Sequence, residues 1–232
     1  MHLVILCGGL GTRLGHLTKE TPKPMLPVAG KPFLEHLLER FQHLGVSTIV
    51  MAVSFQWEKI SSHFGDSWKG IPIRYAVESQ PLGTGGAIKN AMAQAGTEDA
   101  LIVNGDTLFS VDFPAFLRFA RSHKTATVLA LRQVPDCSRY GRVTVGPDGT
   151  VQSFGEKGHS GPGLINAGIY YQRAGTLAAI GAEVFSFETD YLAVQHRMQP
   201  LYALPMDGYF IDIGIPVDLQ RAQLELKALE NS

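Results

Sequence analysis

Along the first 131 residues, short and nearly all-apolar runs alternate with amphipathic stretches. Residues 2–7 form such a run and end in Gly8-Gly9, the pattern of a strand covered on both faces. After a long polar loop, Phe33, Leu34, Leu37, Leu38, Phe41 and Leu44 recur at helical spacing, with Gly45 following as a C-cap. That spacing predicts a helix over 32–44. Further buried strands are expected at 48–53, 71–77, 100–103 and 126–131, with helices near 56–64, 84–95 and 113–121 between them. Such alternation predicts a mostly parallel sheet with helices on its faces. Beyond residue 140 the pattern changes. Asp148-Gly149 separates two alternating segments, a hairpin signal. Strands at 165–171 and 201–204 follow, and a last helix over 216–229 presents Leu219, Ala222, Leu226 and Leu229 on one face, which fits packing against the sheet. The chain shows no repeat, low-complexity tract or linker. The expectation is one α/β domain over 1–232, a Rossmann-like mixed, mostly parallel sheet flanked by helices.

Composition narrows the partners. The 232 residues are 45% hydrophobic and 18% charged, ordinary for a globular chain, and the formal net charge is −1. No global positive field draws such a protein to nucleic acid or an anionic membrane, so neither is expected as a partner and any anion site must be built locally. Cys7 and Cys137 make no disulfide framework, and a reduced, cytoplasmic location is expected. The first apolar run is too short for a signal peptide and lacks a basic leader. No stretch approaches the roughly 18 apolar residues of a membrane span. The eight histidines have no zinc-type spacing.

Candidate chemistry begins in the first loop, Leu6-Cys-Gly-Gly-Leu-Gly-Thr-Arg-Leu14 and then Pro22-Lys-Pro-Met-Leu-Pro27. Glycines after a buried strand let backbone N–H groups approach an anion, and Arg13 and Lys23 add cations. The same glycines would also serve a tight strand exit. The Walker A pattern fails because no Lys-Ser or Lys-Thr follows the last glycine. The dinucleotide fingerprint half-matches at Gly9-Leu-Gly11, but Leu14 stands where its third glycine should be, and Ser54, not an acid, ends the second strand. Taken whole, the glycine run followed by Pro-Lys-Pro resembles the signature of the sugar-phosphate nucleotidyltransferases. It departs from the common pattern at His16, where that family often has proline.

Asp106 follows a buried strand through Asn104-Gly105, and Asp212 stands in Tyr209-Phe-Ile-Asp-Ile-Gly214. Read alone, each could be a turn or cap aspartate. Two carboxylates without His or Cys suit Mg²⁺, which takes one or two carboxylates plus phosphate oxygens and water. The resemblance implies that both bind the metal and that Arg13, Lys23 and Asp106 are catalytic. It implies nucleotide contacts from Leu6, Gly8, Gly9, Gly11, Thr12, Arg13, Glu78, Pro81, Gly83, Thr84 and Asp106. It places the sugar phosphate against Gly141, Glu156, Lys157, Asn166, Gly168 and Glu188. The nucleotide-binding half would span about 1–110 and the sugar-phosphate half about 111–232.

The stretches Asn104-Gly-Asp-Thr107, Gln80-Pro-Leu-Gly-Thr-Gly-Gly86, Leu164-Ile-Asn-Ala-Gly168 and Phe210-Ile-Asp-Ile-Gly-Ile-Pro216 are similar to one subgroup, the D-glycero-D-manno-heptose 1-phosphate guanylyltransferases. That resemblance implies guanylyl transfer from GTP to the heptose phosphate, with release of pyrophosphate, in a bacterial surface-polysaccharide or capsule route. A monomer or small homo-oligomer would serve. Glu78 favours guanine, since a carboxylate can accept from N1–H and N2–H₂ together, whereas uracil offers one imide donor. Mannose 1-phosphate guanylyltransferases often carry a β-helical or cupin domain for which this chain has no room, and the short N-acetylmuramate 1-phosphate uridylyltransferases have a similar layout. A glycosyltransferase is disfavoured by the lack of any Asp-x-Asp. A non-catalytic nucleotide-sugar sensor should have lost an arginine, lysine or aspartate that this chain keeps.

Overall fold

Leu3, Val4 and Ile5 have no exposed surface in β1 (His2–Leu6), which places this strand in the middle of the fold. The coordinates are a computed structural model that describes residues 1–9, 11–96 and 98–230. Leu10 of the glycine motif and the last two residues of the expected domain lie outside the described residues. From β1 the chain passes through 3₁₀ turns at Thr12–Thr18 and Lys23–Met25 and a small ribbon, β2 (Pro27–Val28) with β3 (Lys31–Pro32). It then enters α1 (Phe33–Glu39). This helix stops short of the expected residue 44. The N–H groups of Arg40, Phe41 and Leu44 bond three residues back, to Leu37, Leu38 and Phe41, so the tail tightens while Phe41 stays buried on the same face.

Next come β4 (Thr48–Val53), α2 (Trp57–Phe64), the short β5 (Ser67–Trp68), β6 (Ile71–Val77), α3 (Gly83–Ala95) and β7 (Ala100–Asn104). In the sheet the order is β6-β4-β1-β7, all parallel, as the alternation predicted. β8 (Thr107–Ser110), α4 (Phe113–Ser122) and β9 (Thr127–Val134) follow, then the expected hairpin of β10 (Val143–Val145) with β11 (Val151–Phe154). β12 (Gly163–Gln172) runs antiparallel between β7 and β9, and a register shift between Asn166 and Tyr170 lets its first half lie beside β10 instead. A π-helical turn at Phe187–Leu192 continues into α5 (Ala193–Met198), which the sequence pattern did not announce. β13 (Tyr202–Met206) pairs in parallel with β9.

The chain ends with β14 (Tyr209–Asp212) and α6 (Pro216–Glu230). β14 leaves the main sheet and pairs with β8. Leu219, Ala222 and Leu226 of α6 pack with Leu108, Ile211, Ile213, Val28, Phe33 and Leu14. The final helix therefore covers the β8–β14 ribbon and the glycine loop, where the sequence suggested the main sheet, and Leu229 is 44% exposed. Among the described residues no helix is long and apolar enough to cross a membrane.

One contact joins distant parts of this frame. The start of α3 lies flat against residues 183–185. Gly85 N–H donates to Phe185 O at 2.9 Å, and Phe185 N–H donates to Leu82 O at 3.0 Å. A Cβ on Gly86 would fall 2.1 Å from Glu183 O, which is backbone and cannot rotate away. Gly86→Ala should therefore lose stability by about 1–2 kcal/mol in urea denaturation, because overpacking at ~1–3 kcal/mol exceeds the ~1 kcal/mol that alanine gains in a helix. A variant as stable as the native chain would show that residues 183–185 yield freely.

Candidate functional site

Three adjoining cavities run along the carboxyl ends of β1, β4 and β7 and on to β12, the edge where open α/β sheets bind ligands. The first is an apolar cleft between the glycine loop and the start of α3. Leu6, Ala52 and Ala87 wall it, with Gly8, Gly9, Glu78, Pro81, Gly83 and Thr84 at its sides. Gly8 is there because space runs out: an added Cβ would lie 3.1 Å from Ser54 Oγ and 3.2 Å from Glu78 Oε1. Ser54 Oγ donates to Gly8 O at 2.6 Å and Leu82 N–H donates to Glu78 Oε2 at 3.2 Å, so the carboxylate faces the cleft already oriented. Burial pushes the Glu78 carboxyl above its usual range, and the Leu82 amide opposes this. Gly11 and Thr12 do not line this cleft. Gly11 has φ +63° and its carbonyl accepts from Thr18 Oγ1 at 3.0 Å, which shapes the turn that carries Arg13.

Arg13 opens into the second cavity, with Lys23, Asp106, Asp212, Lys157, Asn166, Gly168 and Glu188. Backbone pairing brings the two aspartates together. In the β8–β14 register Asp212 faces Thr107, and Ile213 N–H donates to Asp106 O at 3.0 Å. Lys23, set between Pro22 and Pro24, places its ammonium 2.5 Å from Asp106 Oδ2, and Thr107 Oγ1 donates to Asp106 Oδ1 at 3.1 Å. Gly214 N–H donates to Asp212 Oδ1 at 2.7 Å. Burial, and then the charge of Asp106, push the Asp212 carboxyl up, while Lys23 pulls it down. Among the described residues there is no group of three or more His, Cys, Asp or Glu arranged as a metal cage. Two carboxylates that feel each other as like charges, with no softer donor, suit a hard cation completed by phosphate oxygens.

The third cavity continues past Lys157, Asn166 and Glu188 to Gly141 and Glu156. Asn166 Nδ2 donates to Tyr170 Oη and to Glu188 Oε1, both at 2.8 Å, and its Oδ1 accepts from Gly168 N–H at 3.1 Å. Gly168 sits in the β12 bulge at φ +71°, where a Cβ would lie 2.4 Å from Asn104 Nδ2. Gly141, at φ +82°, lies so close to the start of the 155–158 loop that its Cβ would fall 2.5 Å from Gly155 O. Glu156 and Lys157 are exposed on that loop.

Residues 2–228 match the model of the nucleotidyl transferase family. The chain belongs to that family. A curated relative from Aneurinibacillus thermoaerophilus, a D-glycero-alpha-D-manno-heptose 1-phosphate guanylyltransferase, is 40% identical over 228 residues, covering 98% of this chain and 99% of the relative. Its counterpart from Campylobacter jejuni is 42% identical over 219 residues, covering 94% and 96%. HddC from Yersinia pseudotuberculosis, solved in complex with GMP-PN, superposes with a TM-score of 0.85 at 36% identity, covering 98% of this chain and all of that one.

In this nucleotidyl transferase, Arg139 and Tyr140, which no motif had marked, face the second cavity, and Asn104 and Phe210 of the subgroup-like stretches border it. Arg139 Nη2 lies 3.3 Å from Asp212 Oδ2. Burial, and then the charge of Asp212, hold the Tyr140 hydroxyl well above its usual range. Ser138-Arg-Tyr-Gly141 did carry a signal, a cation and an aromatic ahead of a glycine at a hairpin mouth. Phe185, in a Phe-Ser-Phe-Glu stretch similar to the heptose guanylyltransferases, seats the start of α3.

Glu78 gives a pH-dependent prediction. Its folded-state carboxyl is raised, so the charged form costs stability once pH rises above the ordinary glutamate range near about 4.3, and costs nothing below it. Glu78→Gln keeps an acceptor for Leu82 N–H and removes the charge. The variant should be more stable than the native chain at pH 8, and the two should converge toward pH 4 in denaturation experiments. An equal difference at both pH values would contradict the buried-charge account.

Proposed function

We propose that this chain transfers the guanylyl group of GTP to D-glycero-alpha-D-manno-heptose 1-phosphate, giving the GDP-sugar and pyrophosphate. The observation that carries this reading is the continuity of the three cavities. Thr84 borders both the apolar cleft and the charged cavity, and Lys157, Asn166 and Glu188 border both the charged cavity and the third one. A nucleoside triphosphate lying along the first two would therefore meet a sugar phosphate entering from the third. The names and near full-length coverage of the relatives support the choice of guanine and heptose, as does the GMP-PN complex of HddC.

In this reading Leu6, Gly8, Gly9, Pro81 and Gly83 hold the base, and Glu78 accepts from guanine N1–H and N2–H₂. Asp106 and Asp212 would hold Mg²⁺, which supplies charge neutralisation to the reacting phosphates. Lys157 receives the sugar phosphate, and Glu156, Asn166 and Glu188 take sugar hydroxyls. An oxygen of the sugar phosphate attacks the α-phosphorus in line. The new P–O bond forms as the bond from the α-phosphorus to the bridging oxygen breaks, and that electron pair leaves with pyrophosphate. Arg13 and Lys23 stabilise the charge gathering there. The nucleophile is already an anion, so no protein base has to remove a proton. Since one chain lines the whole trough, a monomer or small homo-oligomer would suffice. GTP as donor fits the cytoplasm, and the product would feed surface polysaccharide.

The test is pyrophosphate release with Mg²⁺, crossing four nucleoside triphosphates against heptose, mannose, glucose and N-acetylmuramate 1-phosphates. GTP with the heptose phosphate should be the active pair. Activity only with another pair would keep the reaction and discard these substrates, and silence from folded protein would favour a nucleotide-sugar sensor. In the active pair Asp106→Ala should cut turnover by at least about a hundredfold with the fold intact by circular dichroism. Near-native turnover would remove Asp106 from the metal site.

A further inference from the structure

Asp212 is gripped at both of its oxygens. Gly214 N–H holds Oδ1, and the Arg139 guanidinium lies against Oδ2. Arg139 is held in turn. Its other terminal nitrogen, Nη1, hydrogen-bonds Asp218 Oδ2, and its guanidinium carbon sits 5.1 Å from the centre of the Tyr140 ring. Asp218 stands in the first turn of α6 with its side chain only 7% exposed, and its second oxygen receives Arg221 at 3.2 Å. Unlike Arg139, Asp218 lines none of the three cavities. Its direct bond toward the site runs through the arginine.

We infer that Asp218 and Arg139 form a positioning pair that fixes the direction in which Asp212 presents its carboxylate to the cation. The inference rests on the reading of Asp212 as a metal ligand and extends it to two residues behind that ligand. A carboxylate that ligates a cation must aim one lone pair at it, and an unrestrained side chain pays entropy to do so. Partners behind metal ligands commonly change metal affinity by about 10–100-fold when removed. A planar guanidinium can span two carboxylates in a fixed fork, which a lysine ammonium cannot. The pair also ties the metal ligand to α6, because Asp218 and the apolar anchors Leu219 and Ala222 share that helix. A plain structural clamp would tether α6 and would leave cation affinity untouched.

The experiment titrates Mn²⁺ onto the full-length protein and follows free Mn²⁺ by electron paramagnetic resonance. KM for GTP and for sugar phosphate is measured separately at saturating Mg²⁺. Asp212→Asn should abolish specific Mn²⁺ binding, which checks the underlying assignment. Asp218→Asn should weaken Mn²⁺ binding on the order of tenfold while both KM values stay within about twofold. Arg139→Lys, which keeps the charge and Asp218, should weaken Mn²⁺ similarly and provides the second variant if Asp218→Asn folds poorly. Native Mn²⁺ affinity in both positioning variants, with binding lost only in Asp212→Asn, would overturn the inference and leave the pair a clamp. Native affinity in Asp212→Asn as well would overturn the metal assignment itself.

Discussion

Two carboxylates of like charge are brought to one half-buried point by backbone pairing, and much of the surrounding structure offsets that repulsion. The β8–β14 register leaves Asp106 and Asp212 no way apart, since Ile213 N–H is bonded to the Asp106 carbonyl. Lys23 is held at Asp106 between two prolines that restrict its backbone. The Gly214 amide and Arg139 meet Asp212. What keeps the ribbon closed is apolar: Leu108, Ile211 and Ile213 lie fully buried under Leu219, Ala222 and Leu226 of α6. Hydrophobic burial at the back of the ribbon thus carries an electrostatic arrangement at its front that would not form alone.

The glycines of the site work mostly by what they lack. Gly8 leaves room between Ser54 and Glu78, and Gly105 lets its strand end pass 2.6 Å, measured from a hypothetical Cβ, from the Leu6 carbonyl. Gly85 accommodates the Phe185 ring and Gly86 the Glu183 carbonyl, which brings the 183–188 segment onto the same helix that borders the apolar cleft. Phe187 N–H then donates to Thr84 Oγ1 at 2.8 Å, and Glu188 follows directly. Base cleft and sugar-side acid are therefore set by one contact. A side chain added in that contact would disturb both ends of the trough.

Periodicity carried the sheet centre because β1, β4 and β7 are apolar on both faces and long enough to be counted. It could not carry β8 and β14. Each has only four residues, and their partner lies about a hundred residues away, so neither length nor a nearby turn marks them. The placement of α6 differs from its expectation for the same reason: its apolar face is visible in the sequence, but the ribbon it covers is not. In the site, Glu78, Asp106 and Asp212 stood out through neighbouring glycines and the family resemblance. Arg139 had only the weak mark of a cation and an aromatic before a glycine, and Asp218 had none. An acid in the first turn of a helix is an ordinary solvent-facing feature, and only the fold buries it against the arginine.

The charged cavity also explains why a metal belongs in the proposed reaction. Among its described lining residues, Arg13, Lys23, Arg139 and Lys157 oppose Asp106, Asp212 and Glu188, four cations against three carboxylates. That surplus of one is smaller than the roughly −1.5 to −2 carried by a single phosphate monoester, before any triphosphate is added. The rest of the protein gives no help, since the chain as a whole, cavity included, has a net charge of −1. Two of the cations are, moreover, already bonded to the aspartates. A divalent cation seated on Asp106 and Asp212 would meet both needs. It satisfies the carboxylates and adds the positive charge that two phosphate-bearing substrates require at the same point.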